Sequence, residues 1–150
     1  MNNEEKYMKE ALKQANKAYE KDEVPIGAIV VKDGKVISRA YNKREINMRA
    51  TSHAEIIAIE KACKKLNNWR LSNCEIYVTL EPCPMCAGAI LNSRIKKLYF
   101  GAYDEKSGAV VSNLKMLDNE YCNHTTYYES GIMEKECKRI IKDFFKKLRK

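Results

Sequence analysis

Apolar side chains recur at Tyr7, Met8, Ala11, Leu12, Ala15, Ala18 and Tyr19. That three-and-four spacing marks one face of a helix and predicts an amphipathic helix over residues 4–21. The pattern then changes. Pro25 to Val31 is almost continuously apolar, which predicts a buried strand, and Asp33-Gly34 is a turn pair that returns Lys35–Tyr41 as its hairpin partner. Helical spacing resumes over Ser52–Leu66, where Ser52 followed three residues later by Glu55 reads as an N-cap with a capping box. Cys74–Leu80 predicts another buried strand, Pro84–Leu91 a short helix, and Ile95–Phe100 a further strand. A polar loop over 101–113, a weaker strand over Thr125–Glu129 and a helix over Met133–Leu148 follow. In that last helix Cys137, Ile141, Phe144, Phe145 and Leu148 form an apolar stripe, with Lys135, Lys138, Arg139, Lys142 and Lys146 facing outward. The order α-β-β-α-β-α-β-(β)-α predicts an α/β sandwich, a central sheet covered by helices.

With 150 residues, 45% of them hydrophobic, the chain can bury a core as one domain over 1–150. No apolar run approaches the ~18 residues that cross a bilayer, and the polar first residues are unlike a secretory signal. The expectation is therefore a cytoplasmic protein without a membrane partner. In such a chain the six cysteines argue against a disulfide framework, and only Cys83 and Cys86 form a C-x-x-C. Charge adds a pointer to an anionic partner. Lys and Arg number 28 against 20 Asp and Glu, a net +8, and the segment 134–150 alone carries eight basic and three acidic residues.

Two short segments hold the candidate chemistry: Ser52-His53-Ala54-Glu55 and Glu81-Pro82-Cys83-Pro84-Met85-Cys86. Each opens a predicted helix. Residues two apart lie about 200° apart around a helix and share no face in its middle. At the first turn, however, side chains lean toward the N-terminus, so His53 and Glu55 can both reach a site lying off the helix end. Pro84 suits that first turn, because its missing N–H costs nothing there. One imidazole and two thiols, lowered in pKa by two helix N-termini, form a zinc-type donor set. Three protein ligands leave a fourth position open, which is the catalytic pattern. Cys63 lies about 15 Å along the helix from His53, whereas Cys74, Cys122 and His124 stay open as a fourth ligand. Zinc with two thiolates and a neutral imidazole sums to zero charge and is a mild Lewis acid. Its water then needs a base, and Glu55 is the candidate.

Competing readings use the same residues. The C-x-x-C taken alone is a redox pair, the cluster with a hidden fourth ligand is a structural zinc site, and Glu55 taken alone is a capping residue. H-x-E with P-C-x-x-C at a separation of 30 residues is, however, the general signature of zinc-dependent nucleobase deaminases.

The chain resembles the bacterial tRNA-specific adenosine deaminases of the cytidine deaminase-like superfamily. The resemblance runs from Tyr7 to Leu148 and rests first on Glu23 to Ala28, Asn42, His53-Ala54-Glu55 and Trp69-Arg70-Leu71. Tyr77 to Ala89 and Ser93-Arg94-Ile95 continue it. Gly101 to Asp104, Gly108-Ala109, Asn123-His124 and Asp143-Phe144-Phe145 complete it. It implies a three-layer α/β/α sandwich around a mixed sheet, one zinc ion per subunit on His53, Cys83 and Cys86, and hydrolysis of adenosine to inosine at the wobble position of a tRNA anticodon. Glu55 is then the proton shuttle. Asn42 and the backbone N–H of Ala54 face the flipped base, and Asp104, Lys106, Ser107, Phe145 and Arg149 meet the RNA. A homodimer and the anticodon stem-loop are the implied partners. Thr125 departs from the pattern, standing where many of these enzymes carry arginine. Pro84 is shared with deaminases of free guanine and other bases, so a free-base or nucleoside substrate is the runner-up. A non-catalytic RNA-binding module with structural zinc is the third reading, against which the intact Glu55 counts.

Overall fold

The computed structural model describes residues 1–118 and 124–149. Helix α1 spans Asn3–Glu20, with the Asn2 side chain accepting from the Glu5 N–H as its cap. Strands β1 (Gly27–Lys32) and β2 (Lys35–Tyr41) form the hairpin, and Asp33 and Gly34 take φ of 51° and 74° in the two-residue turn. A four-residue helix α2 (Arg44–Asn47) precedes α3 (Ala54–Leu66). Then come β3 (Cys74–Leu80), α4 (Pro84–Asn92), β4 (Lys97–Ala102), a 3-10 turn at Met116–Asp118, β5 (Tyr127–Glu129) and α5 (Glu134–Leu148).

The five strands pair in the order β2-β1-β3-β4-β5. The first two pairings are antiparallel and the last two parallel, so the sheet is mixed. Alternation along the strands divides the core between its faces. Ala28, Val30, Ile76, Val78, Leu98 and Phe100 pack with Ala54, Ala58 and Ala62 of α3 and Ile90 of α4. On the other face Ile29, Val31, Tyr77 and Tyr99 meet Met8 and Ala11 of α1 and Cys137 of α5. The predicted α/β/α sandwich is therefore the observed one. Among the described residues no helix is long and apolar enough to cross a membrane.

Gly27 shows how closely the layers meet. A Cβ there would run into the Ala11 carbonyl oxygen and the Ala15 nitrogen of α1, so only glycine lets the helix lie this near β1.

Three expectations need correction. Ser52 is not a helix cap: α3 begins at Ala54 with His53 as N-cap. The Ser52 hydroxyl accepts from Asn47 Nδ2 and its N–H donates to the Arg49 carbonyl, while Glu55 turns inward and does not close a capping box. The fourth strand starts and ends two residues later than predicted. Ile95 is fully buried but stands before the strand, its carbonyl accepting from the Thr126 hydroxyl. Finally, the α5 stripe is buried only at Cys137 and Phe144, whereas Phe145 and Leu148 are 43% and 57% exposed.

Candidate active site

His53 is the N-cap of α3 and Cys83 the N-cap of α4, and neither side chain is spent on capping its own helix. Pro84 fills the first helical position, which places Cys86 in the same first turn. Strands β2 and β3 run in the same direction, so the segments that follow them bring the two helix starts together at one end of the sheet. His53 Nδ1 then lies 3.6 Å from Cys83 Sγ and 3.5 Å from Cys86 Sγ. All three donor atoms fall within 4.8 Å of one another, the one such cluster among the described residues.

The spacing suits zinc. Tetrahedral bonds of about 2.3 Å to sulfur and 2.0–2.1 Å to nitrogen separate the two donors by about 3.6 Å, the separations seen here. Of the candidate fourth ligands, Cys74 is buried in the core and His124 Nε2 is 2.8 Å from the Ile95 carbonyl, both apart from the cluster. Cys122, like Asn123, lies outside the described residues. Among the described residues three candidate ligands remain.

Electrostatics prepare these groups. A hydrogen bond from Cys86 holds the Cys83 thiol down at about 4, with His53 adding to the effect. The same bond, together with burial, drives Cys86 upward. The hydrogen bond to Cys83 likewise raises His53. Glu55 is 4% exposed, and burial pushes its carboxyl up to about 7. A carboxyl with that value both accepts and returns a proton near neutrality.

A cavity of about 730 Å³ opens over the cluster, within the range that holds small molecules and nucleoside-sized groups. His53, Glu55 and Cys83 line it, as do Asn42, Asp104, Lys106, Ser107 and Phe145, while Cys86 is buried behind Cys83. Two predicted residues stand apart: Ala54 is fully buried at the first position of α3, and exposed Arg149 caps α5 away from the cavity wall. Asn42 is fixed by the backbone on both sides, its Nδ2 donating to the Val24 carbonyl at 3.2 Å and its Oδ1 accepting from the Arg44 N–H at 3.1 Å. The Asp104 carboxylate accepts from the N–H groups of Lys106 and Ser107, so it folds its own loop.

The sequence reading missed several wall residues. Arg44, Tyr103, Lys138 and Ile141 also line the cavity. Two buried carboxylates support the walls. Glu23 accepts from the N–H groups of Glu45 and Ile46 at the start of α2. Burial alone would raise Glu81, but hydrogen bonds from Ser112, Val111 and Asp104 hold it below the ordinary carboxylate range. An acidic residue standing between an apolar run and a proline was the available signal at Glu81; nothing comparable marked Arg44 or Tyr103.

Comparison with known proteins places these features in a family. A family model described as MafB19-like deaminase matches residues 2–149. A tRNA-specific adenosine deaminase of Bacillus subtilis (strain 168) is 50% identical over 150 residues, covering 100% of this chain and 93% of its own. One from Rickettsia bellii (strain RML369-C) is 49% identical over 144 residues, covering 95% and 99%. A solved structure from work on A-to-I editing by tRNA:A34 deaminases at the wobble position of transfer RNA superposes with a TM-score of 0.87. It is 46% identical and covers 90% of this chain and 98% of its own.

Proposed function

The chain belongs to the MafB19-like deaminases and to the tRNA-specific adenosine deaminases, and from that premise we propose that it hydrolyses adenosine to inosine at the wobble position of a tRNA anticodon. One observation carries the reading: a His, Cys, Cys cluster with zinc spacing borders a nucleoside-sized cavity together with the buried carboxyl of Glu55.

His53 and the sulfurs of Cys83 and Cys86 would hold one zinc ion per subunit. When bound, zinc supplies the Lewis acidity that makes water nucleophilic near neutral pH. Glu55 accepts a proton as water adds to C6 of the adenine and passes it to N1; it then takes the proton of the new C6 hydroxyl and delivers it to the departing amine. The C6–N bond breaks, a C6–O bond has formed, and ammonia leaves. Asn42, fixed by two backbone partners on the cavity wall, orients the base. An anticodon loop offers an already unstacked base, so little flipping energy is needed.

Asp104, Lys106, Ser107 and Phe145 supply the wall that meets neighbouring nucleotides, and Arg149 reaches the RNA from the end of α5. The surplus of cations over 134–150 favours phosphate contact and salt-sensitive binding. The assembly is a homodimer in the cytoplasm, where tRNA is found. Ammonia release from an anticodon hairpin with adenosine at the wobble position, run beside free adenosine, guanine and cytosine, tests the reading. Turnover of the hairpin alone supports it; turnover of a free base with the hairpin untouched overturns its RNA half.

A further inference from the structure

The reaction just described uses Glu55 and leaves a second buried carboxylate, Glu81, without a role. Glu81 stands at the end of β3, two residues before Cys83, and is 2% exposed. Among the described residues it pairs with no cation, and its oxygens accept from one loop. Oε1 accepts from the Asp104 N–H at 3.1 Å and from the Ser112 hydroxyl. Oε2 accepts from the N–H groups of Val110, Val111 and Ser112 at 3.1, 2.8 and 2.9 Å. Four backbone donors and a hydroxyl thus converge on one carboxylate from both ends of the segment 104–112.

Further bonds join the end of β4 and the same loop to the segment between β3 and α4. The Glu81 N–H donates to the Ala102 carbonyl, and the Ala109 N–H donates to the Pro82 carbonyl at 2.9 Å. Gly108 lies directly on the Glu81 carboxyl, where a Cβ would collide with Cδ and Oε1. Between these anchors the tip is free of the core. Lys106 and Ser107 are exposed on the cavity wall, turned there by the Asp104 side chain and by the Gly108 N–H bond to the Asp104 carbonyl.

We propose that Glu81 is a positioning residue for the RNA substrate: its carboxylate ties the 104–112 loop to the segment between β3 and α4 that carries Cys83, so that Asp104, Lys106 and Ser107 stand at a fixed distance from the reacting base. This rests on the tRNA reading above. Hydrogen bonds to a charged acceptor are the stronger kind, and losing a buried acceptor leaves its donors unsatisfied. Only a carboxylate fits the donor set. A carboxamide can accept at one oxygen position but presents N–H to N–H at the other, so in Glu81→Gln the loop must shift.

The test is steady-state deamination of a wobble-adenosine tRNA by zinc-loaded wild type, Glu81→Gln and Ser112→Ala, with zinc content and amide hydrogen exchange over 104–112 measured alongside. Glu81→Gln is expected to raise KM at least about tenfold with kcat changed far less, to keep its zinc, and to exchange faster at Val110–Ser112. Ser112→Ala removes one of the five bonds and is expected to raise KM about threefold in the same direction. Unchanged KM in both variants overturns the proposal, as does a loss confined to kcat or accompanied by loss of zinc, which assigns Glu81 to the metal segment instead. If Glu81→Gln does not fold, Ser112→Ala decides alone by whether its KM moves. Wild type that leaves the tRNA untouched while releasing ammonia from a free base fails the underlying reading instead, and is told apart by that control.

Discussion

Glu55→Gln keeps the volume and burial of the side chain while removing its capacity to take up and return a proton. General acid–base catalysis contributes about 10²–10⁴-fold per group. Glu55 serves as base in the first half of the reaction and as acid in the second, so the upper end applies. A 10⁴-fold loss in kcat corresponds to about 5.4 kcal/mol of transition-state stabilisation. Single-turnover inosine formation with enzyme in excess isolates this loss from RNA affinity, and zinc content and tRNA Kd are expected to stay within about twofold, since Glu55 lies outside the His53, Cys83 and Cys86 donor set. The wild-type pH profile adds a second readout. With a carboxyl at about 7 in the metal-free site, the base form is lost as pH falls. A neighbouring dication favours the carboxylate and moves that limb below pH 7. The residual rate of the variant lacks the limb. A variant within tenfold of wild type with zinc intact refutes the proton-shuttle assignment; a variant that loses zinc shows that Glu55 is a ligand.

Gly27→Ala presses a Cβ onto the backbone of α1 at Ala11 and Ala15, and a cost of about 3 kcal/mol lowers Tm by roughly 6–12 °C in a thermal melt; an unchanged Tm contradicts the packing argument. Chelation is expected to abolish turnover and zinc to restore it. After chelation Cys83, half-buried and held at about 4, should be alkylated at neutral pH before Cys86 or Cys137, as read by peptide mass mapping, with equal labelling of the three cysteines as the contrary result. Lys138→Ala removes an exposed cation from the cavity wall. Its expected effect is a weaker tRNA Kd with a log–log salt slope smaller by about 1, measured between low and moderate salt, and an unaltered slope removes Lys138 from the RNA contact.

Local chemistry made most of this protein readable. The helical spacing of α1 and the Asp33-Gly34 turn agree with the structure because periodicity and turn preference are written in neighbouring residues. The same holds at the site. His53, Cys83 and Cys86 gather because each stands at a helix start, and helix starts carry recognisable residues. What escaped is non-local. Helix α2 has four residues and no periodicity, and it is held by Glu23, more than twenty positions away. The apolar stripe of α5 was correct as a pattern, yet Phe145 lies along the cavity instead of the core. Ile95 is apolar and fully buried without belonging to a strand. Glu55 satisfies a capping-box spacing and is used elsewhere. A pattern states which face is apolar but not what covers it.

The central claim is tested most directly by sequencing a full-length transcript with adenosine at the wobble position after incubation with the zinc-loaded protein, since inosine is read as guanosine. The account predicts conversion at that one position, with ammonia released in equal amount and Glu55→Gln giving almost none. Conversion scattered over other adenosines, or an unaltered transcript beside steady ammonia release from free guanine or cytosine, would contradict it.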